Sequence, residues 1–434
     1  MRGFEKPAAL NDGLSLGRAV ICKRGLTVND TRNTDSGSGA LDGVRVLELG
    51  NFIAAPSAGR LLADFGADVI KVERPNTGDE LRRWRLHASD TSLLFRVLNR
   101  NKKSVTLDLG TEEGRDICLR LVRESDIVLE NFRPGTLERW GLGPDVLRGV
   151  RPDLVLVRIS GYGQSGPYKD KPGFGGVAEA FGGLRNLAGF PDRPPVRAGV
   201  SLADSVASLY AVIGALMGLI KRGTTGRGES VDVALYEAVF SLTESLIPDF
   251  HAFGVVPQRS GSALAGIVPS NTYRCADGVY VVISGNSTPV FKRLMDAIGR
   301  PDLAGESSLA DNAGRVSRAE ELDAAIGIWA ARRSSEMVLQ DLEQAQVPAD
   351  AILTAAEILE NAHYNERGML ESHPVEINGR PTPVTFPGVV PKLNDAPGCT
   401  RWIGPDLGKD TDAVLGELGI SEQNLARLRN CHVI

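Results

Sequence analysis

The sequence predicts an α/β fold: a doubly wound layer with a parallel sheet, joined to a second, smaller α/β or α+β domain. Two observations predict it. Short runs rich in Val, Ile and Leu alternate with helical segments from residue 41 onward, and the first two runs enclose one helix, the spacing of a parallel βαβ unit. From about residue 265 the content changes, which marks the second domain.

Taken in order, residues 1–40 mix Arg2, Lys6, Arg18, Lys23, Arg24 and Arg32 with Glu5, Asp12, Asp30 and Asp35. A transit peptide is poor in acids. The stretch therefore reads as a flexible N-terminal extension ending in a Ser/Gly linker, with mitochondrial targeting as the alternative. Residues 44–49 are the first buried strand. A helix begins near Pro56, a favoured first-turn residue. It shows Leu61, Leu62 and Phe65 on one face and ends at Gly66, and residues 68–72 are the next strand. Strand 104–109, helix 112–123, strand 126–130 and strand 154–159 continue the alternation. An apolar helix over about 204–221 reads as buried, and a short strand at 231–235 follows. These elements make a large domain over 41–235, with a linker at 236–264. The small domain, 265–350, holds a strand at 280–283 and helices at 290–298 and within 320–346. Residues 351–434 are a second linker and tail, rich in Pro and Gly from 379 to 405, with a last helix at 422–429.

Composition narrows the function. In 434 residues the apolar fraction is 42%, the charged fraction 24% and the formal net charge -5. A large core can form, and there is no basic footprint for nucleic acid. Cys22, Cys118, Cys275, Cys399 and Cys431 are scattered without a CxxC pair, and the five histidines show no HExxH-type spacing. Neither a disulfide framework nor a metal site is expected. A reducing compartment fits: the cytoplasm, or the mitochondrial matrix in a eukaryote. No apolar run approaches the ~20 residues that span a bilayer. The first βαβ unit invites a dinucleotide site, with Glu73 where a ribose-binding acid would stand. Its turn, however, reads Gly50-Asn-Phe-Ile-Ala-Ala-Pro56. Without GxGxxG the backbone cannot hug a pyrophosphate in the usual way.

Five blocks carry a more specific signal. The first joins Leu41-Asp-Gly-Val-Arg-Val-Leu-Glu-Leu49 to Asp64-Phe-Gly-Ala-Asp-Val-Ile-Lys-Val-Glu-Arg-Pro75. The second is Asn99-Arg-Asn-Lys-Lys-Ser104. The third is Glu130-Asn-Phe-Arg-Pro-Gly135 with Gly141-Leu-Gly143. The fourth is Ser160-Gly-Tyr-Gly-Gln-Ser-Gly-Pro167, and the fifth Pro195-Val-Arg-Ala-Gly-Val-Ser-Leu-Ala-Asp204. In this order and spacing the chain resembles the class III CoA-transferases (CaiB/BaiF, formyl-CoA transferase-like) from about residue 41 onward. The resemblance implies a Rossmann-like large domain built from both ends of the chain, so that 351–434 return to it. It also implies a small domain and an interlocked homodimer. The activity it implies is transfer of CoA from an acyl-CoA to a carboxylic acid through an aspartyl intermediate, with no permanently bound cofactor.

By that resemblance Asp204 is the catalytic aspartate. Local sequence alone reads it as the N-cap of the helix that follows. The roles are compatible, because a helix N-terminus favours the carboxylate and only the carboxylate attacks. Attack on a thioester gives a mixed anhydride, which keeps the acyl group activated where a serine ester would not. The resemblance sets Arg74, Asn131, Phe132 and Arg133 along the CoA path. Lys102 and Lys103 are further cationic candidates, equally readable as a solvated turn. Gly161, Tyr162 and Gly163 shape the pocket beside the thioester. Gly261 and Gly266 lie where relatives carry a glycine-rich loop over the acyl site, as a lid or as an ordinary linker.

Two departures narrow the reading. Family racemases pair the aspartate with a histidine in a Gly-His-Asp block; here the block is Gly173-Phe-Gly175. A two-base racemase needs two proton carriers, so this opposes it. Oxalate-using relatives carry glutamine at the position matched to Ile53, which cannot hydrogen-bond a small dicarboxylate. A larger acyl group, such as a longer dicarboxylate with succinyl-CoA as donor, follows by analogy. The alternatives are an intramolecular CoA-transferase (isomerase) or racemase of the same family. In a different class stand an NAD-linked oxidoreductase and a non-catalytic CoA-binding protein.

Overall fold

Six parallel strands make the main sheet: β1 (Arg45–Glu48), β2 (Asp68–Glu73), β3 (Lys102–Thr106), β4 (Ile127–Glu130), β5 (Val155–Ser160) and β6 (Ser230–Ala234). They are ordered β3-β2-β1-β4-β5-β6. The structure is a computed structural model that describes residues 39–434. Apart from Gly39 and Ala40, the extension expected over 1–40 lies outside the described residues. In register, Val46 pairs with Val69 on one side and Ile127 on the other. The strand order reverses between β1 and β4, and ligands of open α/β sheets bind at such a switch point, beyond the carboxyl ends of the strands.

The pleat explains why these strands are so apolar. Successive side chains point to opposite faces, and here both faces are covered. Val46, Val69, Ile127, Val155 and Val157 pack with the helices Ala54–Asp64 and Leu202–Thr225. Leu47, Ile70, Val105, Val128 and Leu156 pack on the other side with the helix Glu112–Arg123. That last helix begins on Thr111, whose side chain accepts from the Gly114 N–H. It carries Glu112 and Glu113 in its first turn and Arg120 and Arg123 in its last, which suits the helix dipole.

The helix Leu202–Thr225 is not buried all round, as its apolar content suggested. Ala203, Ala207, Ala211 and Ala215, spaced by four, are fully buried. They form one face against Ala54, Ala55 and Ala58, small residues that let two backbones approach closely. Ser208 Oγ fixes the contact by donating to the Ala54 carbonyl at 2.8 Å. The opposite face leaves Leu209, Ile213, Met217 and Ile220 exposed. By length and composition this helix is long enough to cross a membrane, but its alanine face is packed on the parallel sheet.

Three further boundaries differ from expectation. The stretch 236–264 begins as core, because Ala238 and Val239 of the helix Leu235–Phe240 join the apolar cluster of the sheet. The strand expected at 104–109 begins at Lys102. The Pro/Gly-rich tail forms a hairpin, Leu370–Ile377 with Arg380–Pro387. Its turn is Asn378-Gly379, both at positive φ (53° and 72°), the commonest chemistry for a two-residue hairpin.

Within residues 39–434 a separate apolar cluster gathers around the antiparallel strands Ser270–Arg274, Tyr280–Ser284 and Ala349–Ala351. The last residues reach the main sheet. Val414, Leu415, Leu425, Leu428 and Val433 belong to its core. Asp410 accepts from Ser104 N–H and the Val433 carbonyl from Asp108 N–H, each at 2.8 Å. The tail thereby covers the edge at β3, which would otherwise present unpaired backbone.

Candidate active site

At the switch point the turns after β1 and β4 are stapled together. Asn131 Oδ1 accepts from Asn51 N–H at 2.9 Å, and its Nδ2 donates to the Asn51 carbonyl at 2.8 Å. Gly50 is required there, since a Cβ would stand 2.4 Å from Ala55 Cβ and 2.6 Å from Asn131 Oδ1. From beneath, buried Lys71 donates to the Gly50 carbonyl (2.8 Å) and pairs with Glu48 (3.0 Å) and Asp79 (2.9 Å). Burial alone would lower its pKa, but the carboxylates outweigh it and the ammonium is held firmly charged. Phe52 takes a left-handed φ of 61°, its N–H donating to Asp79 Oδ1 at 3.0 Å. Glu73 is committed within the protein. Arg82 contacts both its oxygens at 2.8 Å, and Ser104 Oγ (2.7 Å) and Asp79 N–H (3.0 Å) complete the set. That leaves no acceptor for a ribose hydroxyl.

A cleft of about 350 Å3 opens beyond these turns. It brings together Arg74, Asn131, Phe132, Arg133, Gly161 and Asp204. A cavity of about 90 Å3 adjoins it, sharing Asn51, Arg74, Phe132 and Trp140. Phe132 is seated edge-on to Trp140 at 5.1 Å between ring centroids, and Phe52 approaches Phe174 in the same way at 6.1 Å. The cleft thus has aromatic walls and a cationic rim. Arg74 is mostly exposed, held by Glu80 at 3.2 Å.

Asp204 lines this cleft from the third residue of its helix rather than from the cap, because the helix starts at Leu202. Burial pushes its carboxyl up to about 6. The helix N-terminal backbone and Arg197 oppose that shift, and Glu179 adds to it. At neutral pH the group is still largely a carboxylate, but a poorly hydrated one. It makes no ion pair among the described residues. Gly175 makes room for it: a Cβ there would lie 2.2 Å from Asp204 Oδ2. A desolvated carboxylate facing an aromatic, cation-rimmed cleft can attack an electrophilic carbonyl.

The profile of CoA-transferase family III matches residues 41–411. The chain belongs to that family. It is 44% identical over 397 residues to the succinyl-CoA–D-citramalate CoA-transferase of Chloroflexus aurantiacus, across 91% of this chain and 98% of that one. It is 38% identical over 398 residues to the succinyl-CoA–L-malate CoA-transferase alpha subunit of Chloroflexus aurantiacus, across 91% and 92%. A solved CaiB/BaiF family protein of Brucella suis matches with a TM-score of 0.76 at 34% identity, covering 88% of this chain and 100% of that one. The protein is therefore a CoA-transferase with a CoA thioester as substrate.

Not every residue named from the sequence lies at the cleft of this family III enzyme. Lys102 is fully buried, donating to Glu48 (2.7 Å), Asn99 (2.8 Å) and the Pro56 carbonyl (2.7 Å). Burial lowers its pKa to about 8. It is an internal strut, not a CoA contact. Lys103 pairs with Asp68 at 2.8 Å, at the amino end of the sheet and opposite the ligand side. Both corrections follow from β3 starting at Lys102, so neither lysine sits in a solvated turn. Ile53 turns into a small cluster with Leu81 and Phe95, while Phe52 and Ala54 face the cleft. Tyr162 packs with Phe181 and Tyr236 at 5.2 and 6.1 Å, beside the cleft rather than in its wall. Gly163, at φ 87°, donates to Ser160 Oγ at 2.9 Å and shapes that turn. Gly261 and Gly266, at φ 69° and 74°, also lie outside the cleft wall. Gly261 N–H bonds the Gly189 carbonyl at 2.9 Å, which ties its loop to the 189–200 segment. Phe174, Gly175 and Trp140 were not named as site residues from the sequence. Phe174 and Gly175 had a signal, standing where the racemases carry the His and Asp of their Gly-His-Asp block, and Trp140 had none.

Proposed function

We propose that this enzyme transfers CoA from succinyl-CoA to a dicarboxylic acid by covalent catalysis at Asp204. The observation that carries the reading is the Asp204 carboxylate, desolvated and without an ion-pair partner among the described residues, in the wall of the cleft. The donor and acceptor classes rest on the printed activities of the two Chloroflexus relatives. In the first step a carboxylate oxygen of Asp204 attacks the thioester carbonyl, and the C–S bond breaks to release CoA thiolate and a mixed anhydride. The thiolate then attacks the Asp204 carbonyl, releasing succinate and leaving an aspartyl-CoA thioester. The acceptor carboxylate attacks that thioester, and the freed thiolate takes the acceptor acyl group from the second anhydride. No proton changes hands, so no general base is needed. Exclusion of water protects the activated intermediates.

Two features weigh against the alternatives. Gly173, Phe174 and Gly175 supply no proton carrier for a racemase, and Glu73 is saturated by Arg82 and Ser104, which opposes a dinucleotide site. The enzyme acts as a homodimer in this proposal. Supporting it, the outer face of Leu202–Thr225 and the helix Leu246–Phe253 expose Leu209, Ile213, Met217, Ile220, Phe250 and Phe253, more apolar surface than single scattered residues would give. The test is a coupled assay of succinyl-CoA with a panel of carboxylic acids. Wild type forms a new acyl-CoA and succinate in equal amounts, and Asp204→Asn forms neither. Turnover by Asp204→Asn at the wild-type rate would overturn the mechanism.

A further inference from the structure

Beside Gly176, next to the Gly175 that borders Asp204, the structure gathers two guanidinium groups, one of them without a hydrogen-bond or ion-pair partner among the described residues. Glycines 175 and 176 leave bare backbone at the start of the helix Gly175–Phe181. On Gly175 a Cβ would strike Asp204 Oδ2. On Gly176, one residue further, a Cβ would stand 3.7 Å from Arg185 Nη2 and 3.9 Å from Arg197 Nη1. Arg185 is matched by Glu179, which is buried and accepts from its Nε at 2.7 Å. Arg197 is exposed and makes no hydrogen bond or ion pair among the described residues.

The loop that carries Arg197 is tied down. Arg259 donates to the carbonyls of Phe190 (3.1 Å), Pro191 and Arg193 (3.2 Å each), and Val196 N–H to the Ala188 carbonyl at 3.1 Å. The guanidinium is therefore presented by a braced segment. An arginine is a planar fork suited to a carboxylate.

We propose that Arg197 is a specificity-determining residue that receives the far carboxylate of a dicarboxylyl group while the near acyl carbon sits on Asp204. The inference rests on the CoA transfer at Asp204 proposed above and adds the residue that selects the substrate class. A competing reading makes Arg197 only a source of positive potential for Asp204, which would help every donor alike.

The experiment compares succinyl-CoA with butyryl-CoA, which has the same chain length and no second carboxylate, using one acceptor. It is run on wild type, Arg197→Ala and Arg197→Lys, with circular dichroism confirming that each is folded. Wild type is expected to favour succinyl-CoA in kcat/KM by about 100-fold, and Arg197→Ala to lose about 10- to 100-fold with succinyl-CoA alone. Butyryl-CoA should change by less than about twofold, and Arg197→Lys should keep part of the preference. An equal fall for both donors, or an unchanged preference, overturns the inference. Wild type that transfers CoA from both donors equally overturns it while leaving the proposed function standing. Wild type that transfers from neither overturns both.

Discussion

At Asp204, burial and electrostatics pull in opposite directions. Burial raises the carboxyl to about 6 from 3.8, so the folded state binds this proton more tightly than the unfolded chain does. Its ionisation therefore costs stability above about pH 6; that cost shrinks as pH falls and is gone below 3.8. Asp204→Asn should make the protein more stable at neutral pH by roughly 1–3 kcal/mol. In urea melts the gain should fade towards pH 4, and an equal gain at every pH would contradict the assignment. For wild type, kcat/KM should rise with pH through about 6, because only the carboxylate attacks. Gly175→Ala tests the space beside the group. Its Cβ would stand 2.2 Å from Oδ2, so the carboxylate must shift, and a displacement of about 1 Å costs on the order of 100-fold in rate. Steady-state rates near wild type would show that the carboxylate's position does not matter.

Among the elements, the short apolar runs are the ones the sequence shows. Residues 44–49, 68–72, 126–130 and 154–159 are apolar because both sheet faces are covered, and all four are strands. The Asn131-Phe132-Arg133 block, which the resemblance set along the CoA path, follows β4 and lines the cleft. The place of Lys102 was not legible. Two adjacent lysines look like solvent until β1 supplies Glu48 beneath Lys102, and that carboxylate finds room only because residue 59 is glycine: a Cβ there would meet Glu48 Oε2 at 2.0 Å. Such a contact joins distant segments and leaves no local pattern. Lys102→Met should therefore destabilise the fold by roughly 1–3 kcal/mol, because Glu48 Oε2, Asn99 and the Pro56 carbonyl lose their buried donor while Lys71 still pairs with Glu48 Oε1, and KM for the acyl-CoA should move by less than about twofold. A large rise in KM in a folded variant would return Lys102 to the CoA path.

For the whole molecule, the apolar helix expected to be buried has a covered side and an open one. Alanines at i, i+4 spacing seat it on the sheet, and Leu209, Ile213, Met217 and Ile220 point outward. One-dimensional hydropathy cannot separate these faces, because both are apolar. If a second copy covers it, light scattering of the 46.4 kDa chain should give a dimer mass. The double substitution Ile213→Glu with Met217→Glu should give monomers. A monomeric wild type at micromolar concentration would contradict the homodimer.

The most direct test of covalent catalysis is to catch the bond. The enzyme is mixed with succinyl-CoA alone, quenched with hydroxylamine or borohydride, digested, and read by peptide mass spectrometry. The account predicts a hydroxamate, or homoserine after reduction, at Asp204 and at no other acidic residue, dependent on succinyl-CoA. An unmodified Asp204 under conditions of full turnover would contradict it.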